Sequence, residues 1–171
     1  MQSANREMNR VYDWVAKHAL FTPDKLALVE VSTGRRFTYR EFNEQANRVA
    51  NLLESLGVKA GDRVAIIAPN SADVLFTLFG ATKIGAIFVP LNHKLEAAEL
   101  LPIVQNCEPS ILIYADEFRS VVSDLCRSFT FNHALKLSGQ LASGDLDWSS
   151  ALVTQPAQCI QIGRASCRER V

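Results

Sequence analysis

The chain has 171 residues, of which 48% are hydrophobic and 21% are charged, and these proportions are typical of a folded globular protein. They exclude collagen-like, mucin-like and intrinsically disordered chains. The 18 basic and 18 acidic residues balance to a formal net charge of zero, so the charge indicates neither a nucleic-acid partner nor a basic protein partner. The length suits one domain.

The cysteines and the apolar stretches bear on the cellular location. The four cysteines, which include no C-x-x-C pair, are Cys107, Cys126, Cys159 and Cys167. This spacing favours neither a zinc site nor a redox dithiol. Residues 1–9 are polar and mixed in charge, unlike a signal peptide, and residues 74–90 fall short of the roughly 20 apolar residues of a membrane span. We therefore expect a cytoplasmic protein without a transmembrane segment.

The first predicted elements are a short helix and a β-hairpin. Residues 10–19 carry Trp14 and Val15 at the spacing of an amphipathic helix. Residues 25–31 and 35–38 read as short strands with a Gly-containing turn between them. The two strands predict a hairpin.

The strongest local signal begins a long helix at Thr38. Thr38 and Glu41 have the spacing of a capping box, and Phe37 precedes them at the position of a hydrophobic staple. Gly57 supplies the left-handed residue that ends a helix. The apolar positions in between are Phe42, Ala46, Val49, Leu53 and Leu56. They predict one buried helical face.

Strands and helices then alternate. The predicted strands, which lack polar alternation, are residues 63–68, 86–90 and 110–115. The predicted helices are residues 70–84, 96–106 and 116–126. Asn70-Ser71 can cap the first of them, and Pro102 should kink the second or move its start. This alternation predicts an α/β fold with a parallel sheet flanked by helices on both faces. Further on the pattern weakens, with a strand at 134–137 and a loop at 138–150.

Few residues suggest chemistry. No Rossmann or Walker phosphate loop is present, and Gly80 with Lys83 reads as a packing glycine beside a surface lysine. His93 follows a strand at its carboxyl end, where open α/β sheets bind ligands, so it either lines a site or is an ordinary loop histidine. His18 and His133 read as packing or surface residues. We therefore assign no catalytic, cofactor-binding or metal-binding residue.

The last ten residues differ from the rest. Residues 162–171 read IGRASCRERV, which matches the conceptual translation of a common sequencing-library adapter. The alternative is a genuine basic tail. We expect a partial domain over residues 10–160 and an adapter-derived, disordered tail over 161–171.

Three segments together resemble a known family. They are residues 22–25 (TPDK), 35–71 (RRFTYREFNEQANRVANLLESLGVKAGDRVAIIAPNS) and 80–92 (GATKIGAIFVPLN). Their order and spacing resemble the N-terminal part of the acyl-CoA synthetases, in the adenylate-forming, AMP-dependent synthetase and ligase superfamily. The resemblance runs from about Tyr12 to Phe118 and implies an incomplete N-terminal subdomain of that fold. Asn70-Ser71 and residues 90–92 (PLN) resemble acid–CoA ligases more than peptide-synthetase adenylation domains.

The resemblance implies a two-step ligase of fatty or other carboxylic acids. ATP, Mg²⁺ and the acid give an acyl-adenylate, and coenzyme A then displaces AMP. The family's phosphate loop, nucleotide contacts and C-terminal lysine have no counterpart here, so we expect this fragment to bind no cofactor and to be inactive. The alternatives are a fragment of another adenylate-forming enzyme, such as a peptide-synthetase adenylation domain, and a non-catalytic α/β interaction module.

Overall fold

The computed structural model describes residues 13–137 and 145–158, and the tail predicted over 161–171 lies outside them. The helices are α1 (Trp14–Phe21), α2 (Tyr39–Ser55), α3 (Ala72–Lys83), α4 (Ala97–Cys107), α5 (Arg119–Cys126) and α6 (Trp148–Val153). The strands are β1 (Leu26–Val29), β2 (Arg36–Thr38), β3 (Arg63–Ile67), β4 (Ile87–Pro90), β5 (Ile111–Tyr114), β6 (His133–Lys136) and β7 (Leu146–Asp147). The predicted order of elements is confirmed as far as β6.

The central sheet is parallel throughout, with the strand order β4-β3-β5-β6-β7, and β1 and β2 form a separate antiparallel hairpin. The predicted α/β fold is therefore confirmed. The predicted loop over 138–150 is wrong at its end, because β7 pairs with Leu135 and Lys136 of β6 and α6 begins at Trp148. A two-residue strand has too little pattern to be read locally.

The sheet separates two apolar cores, which explains why its strands lack polar alternation. Val64 and Ile66 of β3 face the first core, on the side of α2 and α3. Ala65 and Ile67 face the second core, on the side of α4 and α5. β5 repeats this division, so both faces of the sheet are covered by helices.

The capping box at the start of α2 is confirmed. The Thr38 hydroxyl accepts a hydrogen bond from the Glu41 amide at 3.3 Å, and the Thr38 amide donates to Glu41 Oε2 at 2.8 Å. Gly57 follows the helix with a φ of 86°, as predicted for the residue that ends it. Of the predicted apolar positions, all but the half-buried Leu56 are buried.

Aromatic rings and one close backbone approach hold α3 against β2 and α2. Phe37 and Phe42 both meet Phe76 edge to face, at centroid distances of 5.1 and 5.4 Å. Gly80 lies so near α2 that a Cβ atom there would stand 2.6 Å from Val49 Cβ. The prediction that Gly80 is a packing glycine is therefore confirmed.

Three local predictions need correction. Trp14 is 62% exposed, because α1 turns Val15 rather than Trp14 toward the core. Lys83 is not a surface residue: its side chain is 7% exposed and its ammonium group contacts Asp13. Of the two effects predicted for Pro102, the shifted start is wrong, because α4 begins after Glu96 and includes the proline, while the kink stays a prediction.

Candidate functional site

The parallel sheet brings the carboxyl ends of β3, β4, β5 and β6 to one edge of the molecule. The connection after β3 runs over the first core through α3 to β4, whereas the connection after β5 runs over the second core through α5 to β6. The two connections diverge, so the chain has a topological switch point between β3 and β5. Open α/β sheets bind ligands in the crevice outside such a point.

His93 lies at this edge, as its position after β4 predicts. Its side chain is exposed, and its ring centre lies 5.8 Å from that of Phe118, which follows β5. The neighbouring Asn92 is committed to the turn, because its Oδ1 accepts the Lys94 amide at 3.1 Å. His93 therefore borders the switch point, and its one described ring contact is apolar.

Buried charged and polar side chains lie at the carboxyl ends of β5 and β6. Lys136, the last residue of β6, is 0% exposed and forms an ion pair with Asp116. This contact with the Lys136 ammonium lowers the pKa of Asp116. Tyr114, the last residue of β5, donates its hydroxyl to Asp145. Burial raises the pKa of Tyr114, and the bond to Asp145 raises it further.

A second network joins the hairpin to the start of α3. Glu30, whose side chain is 6% exposed, accepts two hydrogen bonds from Arg35, at 2.7 and 3.0 Å. Its Oε1 also accepts the Ala72 amide at 2.9 Å, and its Oε2 accepts the Thr33 hydroxyl. The Arg35 bonds hold the pKa of Glu30 at about 2 against an ordinary 4.5. Glu30 is thus the N-terminal cap of α3.

This arrangement corrects the predicted Asn70-Ser71 cap. Ser71 occupies the capping position, but its side chain makes no capping hydrogen bond. Asp73, in the first turn of α3, extends the network to Arg35 at 2.8 Å and to the indole nitrogen of Trp148 at 3.2 Å. No sequence signal identified Glu30, because it reads as the end of a strand and its helix starts 42 residues later.

The other histidines have local roles. His18 stacks on Tyr39 at a centroid distance of 4.7 Å, which agrees with its interpretation as a packing residue. His133 begins β6 beside a shallow depression that Cys126 and Phe131 also line. Neither histidine lies with His93 at the switch point.

The described residues contain no group of three or more His, Cys, Asp or Glu side chains that could hold a metal ion. Among residues 13–137 and 145–158, none of the helices has both the length and the apolar character that a membrane crossing needs. The buried charges, Glu30, Lys83 and Lys136, are each engaged by opposite charges. Next to the switch point, the carboxyl edge of the sheet therefore carries the ion pair of Lys136 with Asp116, in which the buried cation is balanced by a carboxylate.

Comparison with known protein families gives a match over most of the chain. The family described as AMP-binding enzyme matches residues 15–158, which is most of the chain. The chain therefore belongs to the AMP-binding enzyme family, and its fold is that of the N-terminal subdomain of adenylate-forming enzymes.

Curated proteins with similar sequences include CoA ligases. The crotonobetaine/carnitine–CoA ligases of Salmonella typhimurium (strain LT2) and Salmonella paratyphi A are each 39% identical over 127 residues, which cover 71% of this chain and 25% of the relative. The chain thus spans about a quarter of the length of these curated relatives.

Solved structures show the same fold. The anthranilate CoA ligase AuaEII, in complex with anthranoyl-AMP, aligns with a TM-score of 0.79 and 27% identity over 90% of this chain and 30% of its own. A fatty acyl CoA synthetase of Mycobacterium tuberculosis aligns with a TM-score of 0.77 and 30% identity over 88% of this chain and 30% of its own.

Proposed function

We propose that this chain is part of an ATP-dependent acid–CoA ligase. The carboxylate of the substrate attacks the α-phosphorus of ATP and releases pyrophosphate, which leaves an acyl-adenylate. The thiol of coenzyme A then attacks the acyl carbon, a thioester forms, and AMP leaves. The observation that carries the proposal is the family match over residues 15–158 together with relatives that are named as CoA ligases.

ATP, Mg²⁺ and coenzyme A are the expected cofactors and co-substrates of the whole enzyme. Activation is needed because a free carboxylate is a poor electrophile and AMP is a good leaving group. A divalent cation would neutralise phosphate charge during this transfer. Among residues 13–137 and 145–158, no group of three or more His, Cys, Asp or Glu side chains could hold such an ion.

We further propose that the 171-residue chain alone is inactive and that it serves as a scaffold. Adenylation depends on placing positive charge around the phosphates. The buried lysines of the described residues contact other side chains of the chain itself. Lys83 contacts Asp13 and Asn43, and Lys136 contacts Asp116. The chain's contribution to the enzyme would be the carboxyl edge of the parallel sheet.

We also propose that residues 10–160 form the domain, that residues 161–171 are a tail outside it and that the protein is cytoplasmic. The scattered spacing of the cysteines, with no C-x-x-C pair, agrees with a reducing compartment.

The decisive experiment extends the gene. The genomic reading frame is followed beyond codon 160, and the resulting product and the 171-residue chain are both assayed by ATP–pyrophosphate exchange with fatty, aromatic and betaine-type acids. We expect exchange and CoA thioester formation from the longer product and neither from the short chain. Exchange without thioester formation would favour a peptide-synthetase-like enzyme. An in-frame stop with no exchange would favour an interaction module, and exchange by the short chain would contradict the scaffold proposal.

A further inference from the structure

A set of polar side chains on α2 binds the backbone that follows α6. Arg48 Nη1 donates to the Gln155 carbonyl at 2.5 Å, and Asn51 Nδ2 donates to the carbonyls of Pro156 and Gln158 at 2.8 and 3.2 Å. Asn47 Nδ2 donates to the Ala157 carbonyl at 2.9 Å. Four consecutive carbonyls are therefore bound by three side chains of one helix. We call Asn47, Arg48 and Asn51 the α2 clamp.

The clamp binds the backbone and not the side chains. Every one of these bonds ends on a carbonyl oxygen, while the side chains of Pro156 and Gln158 are exposed. Arg48 also reaches the Val153 carbonyl at 3.5 Å, so its cation lies at the C-terminus of α6. A positive charge there satisfies free carbonyls and the negative end of the helix dipole.

The segment depends on this clamp because its own structure is small. α6 has six residues, which is far below the length at which an isolated helix is stable in water. Its anchor in the first core consists of Trp148 and Leu152, which are 2% and 6% exposed. β7 adds only two paired residues. One attachment lies at the start of the segment and the other, the clamp, lies at its end.

We propose that residues 146–158 form a latch, which the α2 clamp holds through backbone carbonyls and which opens and closes as one unit. Opening exposes the α2 face between Asn47 and Asn51 and the core beneath Trp148, while the sheet from β3 to β6 stays folded. Local opening of weakly attached units at free energies below that of global unfolding is a general property of proteins. The inference does not depend on the proposed enzymatic activity.

The test is hydrogen exchange of the 171-residue chain, followed by mass spectrometry. In Arg48→Met and Asn51→Leu, amides of residues 150–155 should exchange roughly tenfold to hundredfold faster, the loss expected for a charged or multiple hydrogen bond. Amides of β3 and β5 should change by less than about threefold. Arg40→Met is the matched control, since it removes an arginine of the same helix from an exposed ion pair with Asp24. It should leave residues 150–155 unchanged.

A second control tests the backbone mechanism. Gln158→Ala, which truncates an exposed side chain, should leave exchange of the latch unchanged, and acceleration equal to that of Arg48→Met would overturn recognition through carbonyls. If a clamp variant fails to fold, hydrogen exchange of the unaltered chain is measured at low denaturant concentrations instead. One shared opening free energy for residues 150–155, below that of β3, supports the latch. Opening only together with β3, or residue by residue, overturns it.

Discussion

The two longest helices of the first core begin in opposite ways. The amino end of α2 is capped from within its own first turn, where Thr38 and Glu41 exchange hydrogen bonds across an exposed surface. The amino end of α3 is capped from a distance, by the buried carboxylate of Glu30 in the hairpin loop. A local cap stabilises its helix alone, whereas the distant cap also fixes the hairpin against α3. The contribution of a cap to the free energy of unfolding therefore depends on which other contacts the capping carboxylate makes.

The largest effect should come from Glu30→Ala. The substitution leaves the Ala72 amide without its acceptor and removes both charged hydrogen bonds of Arg35. We expect a loss of about 1.5–3 kcal/mol in the free energy of unfolding, the range for hydrogen bonds to charged groups. Urea denaturation followed by circular dichroism measures it. A loss no larger than that of Thr38→Ala would end the distinction between the two caps.

The next largest effect should be the loss of the Glu30 cap on acidification, which the comparison with Glu30→Gln isolates from the other carboxylates. The pKa of Glu30 is about 2 in the folded chain and 4.5 is its ordinary value, so the folded state favours the ionised carboxylate. Its contribution is complete above about pH 4.5 and is lost as the pH falls from there toward 2. We expect the free energy of unfolding to fall more steeply over this window in the unaltered chain than in Glu30→Gln. Urea titrations of both proteins at several pH values give the free energy of unfolding as a function of pH. Equal slopes for the two proteins would contradict the lowered pKa of Glu30.

Thr38→Ala should have a smaller effect. It removes the hydroxyl that accepts the Glu41 amide and leaves the reciprocal bond to the Thr38 amide possible. We expect a loss of about 0.5–2 kcal/mol in the free energy of unfolding, typical of an N-cap replaced by alanine. The shift in the urea midpoint measures it, and an unchanged midpoint would show that the capping box contributes nothing to stability.

Ser71→Ala should have the smallest effect. Ser71 stands at the capping position of α3, but its hydroxyl makes no capping bond because Glu30 supplies the acceptor. We expect a change within about 0.5 kcal/mol, as for an ordinary surface substitution. The same urea midpoint serves as the readout. A loss equal to that of Thr38→Ala would mean that Ser71 caps α3 after all.

The predicted and the missed features differ in how far their partners lie along the chain. The α2 cap, the buried face of α2 and the parallel sheet follow from residues within a few positions of one another. The Glu30 cap, the Trp148 anchor and the α2 clamp join residues 42 to 110 positions apart. No periodicity encodes such contacts. The prediction of a surface Lys83 is wrong for the same reason, because its partner Asp13 lies 70 residues away.

The candidate site was predictable only in its position. The place of His93 after a strand of a parallel sheet predicted that it lies at the carboxyl edge of the sheet, since the carboxyl ends of such strands coincide. The Lys136–Asp116 pair at the same edge was not predictable, because a lysine that ends a short strand is ordinarily exposed.

The distant cap of α3 also has a consequence for the order of folding. The first turn of α2 can form with its cap in place before any tertiary contact exists, whereas α3 acquires its carboxylate only after the hairpin loop has docked. We therefore expect Thr38→Ala chiefly to slow refolding and Glu30→Ala chiefly to speed unfolding, since late contacts affect the unfolding rate. Stopped-flow chevron plots of both variants distinguish these outcomes. The hairpin would then be a late-closing part of the first core, although it comes early in the chain.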